Sequence, residues 1–186
     1  MYKMNDIEES KLIKLSQQGN AEAFNALIER YQKEALNIAF RMLGNLPDAE
    51  DVCQTAWLSA WSSIRKFRGG SFRAWVFSIV SNACRDEFRK RKRKRTMETT
   101  ITDCLQPSAD RYIEDMVLTR EKVETIQKSL LQLPYDQRLA VILRVYSDLN
   151  YEEISRVMHC PVGTVKSRLN RGLHRLRDLL QNGKYL

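Results

Sequence analysis

Apolar residues recur at helical spacing in the first half of the chain. Between Ala21 and Leu43 they return every three or four positions, at Phe24, Leu27, Ile28, Tyr31, Ala35, Ile38 and Met42. This spacing places them on one face of an α-helix, and Gly44 follows as a residue type that commonly ends helices. The pattern therefore predicts a long amphipathic helix over residues 21–43.

Two more helices are predicted after this one. Pro47 and Asp48 are typical of a first helical turn, and apolar residues then follow at Val52, Ala56, Ala60 and Ile64. Gly69-Gly70-Ser71 interrupts the chain. A third helix is expected from about Phe72 through Trp75 into a run of seven consecutive basic residues, 89–95.

The last third of the chain has the pattern of a helix-turn-helix. One helix is predicted after Pro134. Asn150 can then cap the next helix, Tyr151 to Met158, with Glu153 placed to complete a capping box. A turn of about three residues leads into a further helix, and in this motif the second helix lies in the DNA major groove.

The second helix of this motif has an apolar and a polar side. Its predicted buried stripe consists of Val162, Val165, Leu169, Leu173, Leu176 and Leu180. The other side carries residues suited to phosphates and base edges, namely Thr164, Lys166, Ser167, Arg168, Asn170 and Arg171. An ordinary amphipathic hairpin with a basic outer face is the alternative. The absence of acidic residues between Pro161 and Arg177 favours DNA binding over that alternative.

Composition and charge narrow the fold class. Seven glycines and four prolines in 186 residues are too few for the turns of a many-stranded sandwich or barrel, so we predict an all-α protein. The net charge of +8 is uneven, with +7 in residues 1–95, −3 in 96–133 and +4 in 134–186. This pattern indicates two small helical domains, 1–95 and 118–186, joined by a flexible acidic linker at 96–117.

The basic run 89–95 has two interpretations. Like charges at helical spacing repel each other, so the run is either a solvated helix end or localisation signal, or a surface for an anionic partner. Because it continues an amphipathic helix, we favour the anionic partner.

Catalytic and metal-binding chemistry is not predicted. The four cysteines lie 20 to 56 residues apart, so none forms the close pair of a zinc site. We expect buried reduced thiols, no metal and no cofactor. The acidic cluster Asp48-Glu50-Asp51 lies at a predicted helix start, where carboxylates suit the helix dipole.

No apolar run approaches the roughly 18 residues of a membrane span. The first residues lack the basic start and apolar middle of a signal peptide, so we expect a cytoplasmic protein.

Taken together, the motifs resemble the extracytoplasmic-function sigma factors of bacteria. Leu149 to Ile154 (LNYEEI), followed by Pro161 to Gly172 (PVGTVKSRLNRG), resembles the helix-turn-helix of their C-terminal domain. Three N-terminal stretches resemble their other domain in the same order: Arg41 to Asn45 (RMLGN), Asp48 to Val52 (DAEDV) and Phe67 to Trp75 (FRGGSFRAW).

The resemblance implies a factor that directs core RNA polymerase to promoter DNA. The helix over 48–64 would dock on the clamp coiled coil of the largest polymerase subunit, through Asp48, Asp51, Gln54, Trp57 and Leu58. The family often has an acidic residue where this chain has Thr55, so the resemblance implies one charged contact fewer on that surface. An anti-sigma inhibitor is implied as a further partner.

The resemblance also implies two DNA-reading surfaces. The loop at 66–73 and the following helix would open and read the minus-ten element, through Phe67, Arg68, Ser71, Phe72, Trp75, Asn82, Arg85 and Arg89. For Trp75 a core position is an open alternative. The minus-thirty-five element would be read by the six polar residues of the last helix, with Asn170 as a determinant of promoter choice. The acidic linker would pass near the RNA path of the polymerase.

Two other classes of protein compete with this interpretation. A free-standing helix-turn-helix regulator would dimerise and carry a ligand or phosphoacceptor domain, and the N-terminal block lacks the alternating strand-helix pattern of such a domain. An enzyme acting on nucleic acid would need clustered carboxylates for metals, or a nucleophile beside a base. With two histidines and one acidic cluster, we expect no catalysis by this chain.

Overall fold

The computed structural model describes residues 7–97 and 120–182. Within these ranges the protein contains eight α-helices, one short 3-10 helix and no strand, which confirms the all-α prediction. The α-helices are α1 (Glu9–Gln17), α2 (Ala21–Leu43), α3 (Leu46–Ser63), α4 (Phe72–Met97), α5 (Arg120–Gln132), α6 (Tyr135–Val145), α7 (Tyr151–Met158) and α8 (Val162–Asn182), with the 3-10 helix at Ile64–Lys66. Most of the predicted linker lies outside the described residues.

The helix ends follow the signals in the sequence. Gly44 has φ of +76° and its amide donates to the Phe40 carbonyl at 2.7 Å, which ends α2 at the predicted residue. The capping box of α7 is confirmed: Asn150 Oδ1 accepts from the Glu153 amide at 2.9 Å, and Glu153 Oε2 accepts from the Asn150 amide at 3.0 Å. Helices α1 and α5 were not among the predictions.

Helices α1 to α4 form an N-terminal core around a cluster of aromatic rings. Phe72 and Phe77 are fully buried in it. The Phe72 ring centroid lies 5.9 Å from that of Tyr31, 5.5 Å from Phe67 and 5.4 Å from Trp75. Rings at these separations and angles pack favourably beyond the area they bury. The cluster fixes the segment between the 3-10 helix and α4 against the core.

Helices α5 to α8 form a C-terminal core, and one predicted core residue is misplaced. Val165 and Leu169 of α8 are buried as predicted. Leu173 is 42% exposed, so the prediction for Leu173 is wrong. The other three residues of the predicted stripe are only partly buried: Val162, Leu176 and Leu180. Gly172 is buried in place of Leu173. A Cβ atom added at Gly172 would lie 2.8 Å from Val141 Cγ2 of α6, so the glycine permits a close approach of α8 to α6.

The two groups of helices meet where α2 and α5 end. The last carbonyls of a helix have no partner within the helix. Arg138 is 4% exposed and donates to the carbonyls of Met42 at 2.6 Å, Leu131 at 2.5 Å and Leu133 at 3.1 Å. Burial lowers the pKa of Arg138 to about 10. One guanidinium thus satisfies carbonyl groups from both domains.

The cysteines agree in part with the expectation of buried thiols. Cys53 and Cys84 are buried and free, whereas Cys160 is partly exposed. Cys104 lies outside the described residues. No three metal-ligating side chains converge within 7–97 and 120–182, and none of the helices described there is long and apolar enough to cross a membrane.

We predict that Asn150→Ala destabilises the protein by about 1 kcal/mol, because the Glu153 amide loses its capping acceptor. The measurement is the free energy of unfolding by chemical denaturation. Asn150→Ser retains a capping oxygen and is the control, with a smaller loss expected. Equal stability of the alanine variant and the wild type would contradict the prediction.

We predict that Cys53 and Cys84 resist thiol reagents in the native protein, while Cys160 reacts. Burial raises the pKa of Cys53 from its ordinary value of 9.0 to about 12 and raises that of Cys84 as well, so both thiols stay protonated. Mass spectrometry of labelled peptides at pH 8 measures the labelling; native labelling of Cys53 at the rate of Cys160 would refute the prediction.

The same raised pKa values make the stability of the protein depend on pH. Since the folded state holds the protons of Cys53 and Cys84 more tightly than the unfolded state does, the free energy of unfolding should fall as the pH rises from about 9 to about 12.

Candidate nucleic-acid interface

The turn before α8 sets the direction of the last helix. His159 ends α7 in the left-handed conformation, with φ of +49°. Ser155 Oγ donates to the Cys160 carbonyl at 2.6 Å, which ties the turn back to α7. Buried Val165 and Leu169 then fix the rotation of α8 about its axis. The opposite side of α8 is therefore held outward by a rigid support, as a groove-reading helix requires.

The predicted polar residues of α8 fall into three groups. Lys166, Asn170 and Arg171 are exposed, and Thr164 and Ser167 are partly buried. Arg171 donates to the Ser167 carbonyl at 3.2 Å and to Ser167 Oγ at 3.3 Å, so its guanidinium is held along the helix surface. The sixth residue, Arg168, forms an ion pair with the side chain of Asp136 at 2.9 Å.

The Lys166 ammonium lies 5.4 Å from the centroid of the Tyr151 ring of α7. A cation over an aromatic face at this distance is attracted to the ring. This contact orients Lys166 toward the start of α7 and leaves Asn170 and Arg171 as the residues one turn further along α8.

The predicted minus-ten residues are distributed between the core and the surface. Phe72 is fully buried and Phe67 is 8% exposed, so in this structure both rings support the loop from inside and offer no face to a base. Trp75 is half-buried, with its ring 5.3 Å from that of Phe67. Ser71 caps α4, since its Oγ accepts from the Ala74 amide at 3.2 Å. A core position was the alternative considered for Trp75. In the structure Phe67 and Phe72 hold such positions, and Trp75 is only half-buried.

The remaining four minus-ten residues are polar, and three of them lie at the surface. Arg68, Asn82 and Arg89 are exposed. Arg85 is partly buried, because it pairs with Asp136 of α6 at 3.1 Å and its guanidinium carbon lies 5.2 Å from the centroid of the Tyr135 ring. The structure thus brings Asn82, Arg85 and Arg89 together along α4.

An exposed apolar groove lies between α2 and α3. It has a volume of 330 Å³ and is lined by Ala21, Phe24, Asn25, Ile28, Gln54, Trp57, Leu58 and Trp61. Leu58 is 66% exposed at its edge. The Phe24 ring forms the base of the groove, with its centroid 5.0 Å from that of Trp61. A groove of this composition can hold apolar side chains of another protein.

The five predicted docking residues lie on two sides of α3. Gln54, Trp57 and Leu58 line the apolar groove. Asp48 and Asp51 line a second groove of 580 Å³ between α3 and α4, where Asp48 also pairs with Arg91. The prediction missed Phe24, Ile28 and Trp61 as lining residues. Trp61 was recoverable from the sequence, because it follows Trp57 by four positions and Leu58 by three.

Comparisons with known proteins identify the family of this chain. The family model for sigma-70 region 2 matches residues 27–94, and the model for sigma-70 region 4 matches residues 124–176. The chain is 32% identical to RNA polymerase sigma-H factor of Pseudomonas aeruginosa over 94% of both chains. It is 33% identical to the ECF RNA polymerase sigma factor SigW of Bacillus subtilis, over 92% of this chain and 96% of that relative.

The chain belongs to the extracytoplasmic-function group of the sigma-70 family. As a sigma factor it directs core RNA polymerase to specific promoters and initiates transcription, so the alternative of a free-standing regulator is not favoured.

Solved structures of sigma factors have the same fold. CnrH in complex with the cytosolic domain of CnrY matches with a TM-score of 0.70 and 25% identity, over 94% of this chain and 97% of that one. The sigma factor RpoE of Bartonella quintana, in complex with the anti-sigma factor NepR, matches with a TM-score of 0.67 and 27% identity, over 87% of this chain and 98% of that one.

Proposed function

We propose that this sigma factor divides promoter recognition between its two helical domains. Residues 1–95 dock on the polymerase clamp and read the minus-ten element, and residues 118–186 read the minus-thirty-five element. The observation that carries the proposal is α8, where buried Val165 and Leu169 hold a basic polar face outward. The role of the acidic linker near the RNA path concerns residues that lie outside the described ranges.

Helix α8 offers two kinds of contact to duplex DNA. Arg171 and Lys166 can bind guanine edges or phosphates, and Asn170 has the paired donor and acceptor that suit adenine. All three side chains are exposed. Thr164, in the first turn of the helix, can add a phosphate contact next to the helix N-terminus. Asn170 is then the residue best placed to set which sequences are read.

Helix α4 offers cations and a polar side chain to a melted strand. Arg85 and Arg89 supply charge for the backbone, and Asn82 can donate to and accept from an extruded base. Half-buried Trp75 supplies the aromatic edge. Phe67 and Phe72 contribute by shaping the loop that precedes α4.

Helix α3 offers the docking surface for polymerase. Leu58 at the edge of the apolar groove is the most exposed large apolar side chain of the described residues, and burial of such a side chain in an interface is favourable. Thr55 is exposed and its hydroxyl donates to the Asp51 carbonyl at 3.0 Å. It therefore contributes no charge where the family often has an acid.

The remaining parts of the proposal concern chemistry, location and inhibition. The polymerase forms the phosphodiester bonds, and this chain acts as a binding protein in the cytoplasm, where core polymerase and promoter DNA are found. An anti-sigma factor is proposed as a further partner, because CnrH and RpoE are each held by another chain, and NepR is an anti-sigma factor.

We predict that the double variant Lys166→Ala, Arg171→Ala loses at least about tenfold in transcription that depends on the minus-thirty-five element, since each base contact contributes about 1–3 kcal/mol. The measurement is transcription from a promoter library by core polymerase with and without the protein. Arg177→Ala removes an exposed arginine from the same helix and is the control. If wild-type protein added no promoter specificity to core polymerase, the proposed function would be wrong. If the double variant transcribed as well as the wild type, α8 would not be the helix that reads the minus-thirty-five element.

We predict that Leu58→Asp weakens binding to core polymerase by at least about tenfold without changing the melting temperature, because a carboxylate would have to be buried in an apolar contact. Titration of labelled protein with core polymerase measures the change. Ser59→Asp adds the same charge on the neighbouring side of α3, in the groove facing α4, and should bind nearly as the wild type does. Equal loss in both variants would mean that the apolar groove is not the docking site.

A further inference from the structure

Helix α1 ends beside the loop that leads into α4. This helix lies outside the match to the sigma-70 region 2 model, which begins at residue 27. The side-chain amide of Gln17, the last residue of α1, donates to the Phe67 carbonyl at 2.9 Å and to the Ile64 carbonyl at 3.3 Å. Gln17 thus binds the first residue of the 3-10 helix and the residue that follows its end.

The position of Gln17 is fixed by the packing of α1 on α2. Leu12 of α1 is fully buried in the N-terminal core. Glu9, in the first turn of α1, accepts a hydrogen bond from the Tyr31 hydroxyl of α2. Directly after α1, the Asn20 side chain caps α2 by accepting from the amide of its third residue at 2.9 Å. The Gln17 amide is therefore held by the core, independently of the loop that it contacts.

The loop between the 3-10 helix and α4 is short and is held at both ends. It consists of Arg68 and the two glycines that follow, all of them exposed. At its far end Ser71 caps α4. At its near end the Phe67 carbonyl accepts from Gln17. Because only three residues lie between these two points, the position of Phe67 limits where Arg68 can lie.

Phe67 also connects the loop to a side chain on α4. Its ring centroid lies 5.3 Å from that of Trp75. Arg68 is a predicted minus-ten residue, and Trp75 supplies the aromatic edge in the proposed function. A displacement of Phe67 would therefore move a cation and an aromatic contact of the same surface.

We propose that Gln17 is a positioning residue for the reading of the minus-ten element. Its amide fixes where the loop over residues 68–70 begins, and so places Arg68 and Trp75 for a melted strand. Gln17 does not touch DNA in this role; it acts through the carbonyls of Ile64 and Phe67. This inference rests on the proposed function. A loop that is already ordered in the free protein costs less to bind than one that the strand must order.

The test compares Gln17→Glu with Gln18→Glu in the full chain. Both changes replace an amide by a carboxylate of nearly the same shape and add one negative charge at the same end of α1. A carboxylate cannot donate, so at position 17 it faces two carbonyl oxygens without a hydrogen bond. Gln18 is exposed and is the matched control. Gln17→Met removes the N–H groups without adding charge, and separates loss of the hydrogen bonds from repulsion.

The first measurement uses neither DNA nor polymerase. Hydrogen exchange, followed by mass spectrometry of the peptide that carries residues 64–70, reports how often the start of the loop opens, because the Phe67 amide donates to the Ile64 carbonyl at 3.1 Å. We expect both Gln17 variants to exchange about three- to tenfold faster there, the range for loss of neutral hydrogen bonds. Gln18→Glu should exchange as the wild type does.

A peptide from α2 serves as the internal reference for this exchange. We expect its exchange to stay at the wild-type rate in every variant. Unchanged exchange of residues 64–70 in both Gln17 variants would overturn the proposal that Gln17 fixes the loop. Equal acceleration in the α2 peptide would mean a general loss of stability, and would overturn the positioning role as well.

The second measurement is the affinity of the complex with core polymerase for a single-stranded oligonucleotide that carries the minus-ten element found in the library. A scrambled oligonucleotide is the reference, and the ratio of the two affinities measures sequence reading. We expect this ratio to fall about three- to tenfold in both Gln17 variants and to stay unchanged in Gln18→Glu. The affinity of all variants for core polymerase should equal that of the wild type.

The outcomes separate this inference from the function on which it rests. If the wild-type complex preferred the element and both Gln17 variants kept the full ratio, the positioning role would be overturned and the proposed function would stand. If the wild-type complex showed no preference, the minus-ten part of the proposed function would be wrong, and the positioning role would fall with it.

Discussion

The carbonyl groups at the end of α2 are the constraint on which the arrangement of the two domains depends. A helix that ends inside a protein leaves its last carbonyls without partners from its own backbone. Here Gln127 of α5 donates to the carbonyl of Arg41 at 3.3 Å, and Arg138 of α6 donates to that of Met42. These donors are themselves buried. Each domain therefore satisfies polar groups that the other would leave unpaired.

The seam where α4 packs against α6 and α7 determines which of the residues proposed to contact DNA are exposed. Helix α4 lies between its own domain and α7, so the polar residues predicted to contact a melted strand are divided between an exposed set and a covered set. Arg89 and Asn82 face solvent, whereas Ser71 and Arg85 bond across the seam. The recognition helix α8 contributes Arg168 to the seam and keeps Lys166, Asn170 and Arg171 outside it.

Local signals in the sequence predicted the helix ends well, and they predicted burial less well. The bounds of α2 and α7 and the capping box at Asn150 depend on a few neighbouring residues, and all were confirmed. Which side of a helix is covered depends on its partner. Leu173 fits the apolar stripe of α8, but the approach of α6 to Gly172 leaves it at the surface. In the same way, Phe72 has the composition of a base-contacting ring and is fixed in the core by Tyr31 and Phe67.

Helix α4 also has a mechanical consequence. It runs without a break from Phe72 to Met97, about 39 Å at 1.5 Å per residue. Its first turns are anchored in the aromatic cluster, and its basic end is braced against α3, because Arg91 pairs with Asp48. A helix supported at two points moves as a stiff rod. The helix therefore keeps its basic end at a fixed distance from the aromatic cluster, whatever anion binds there.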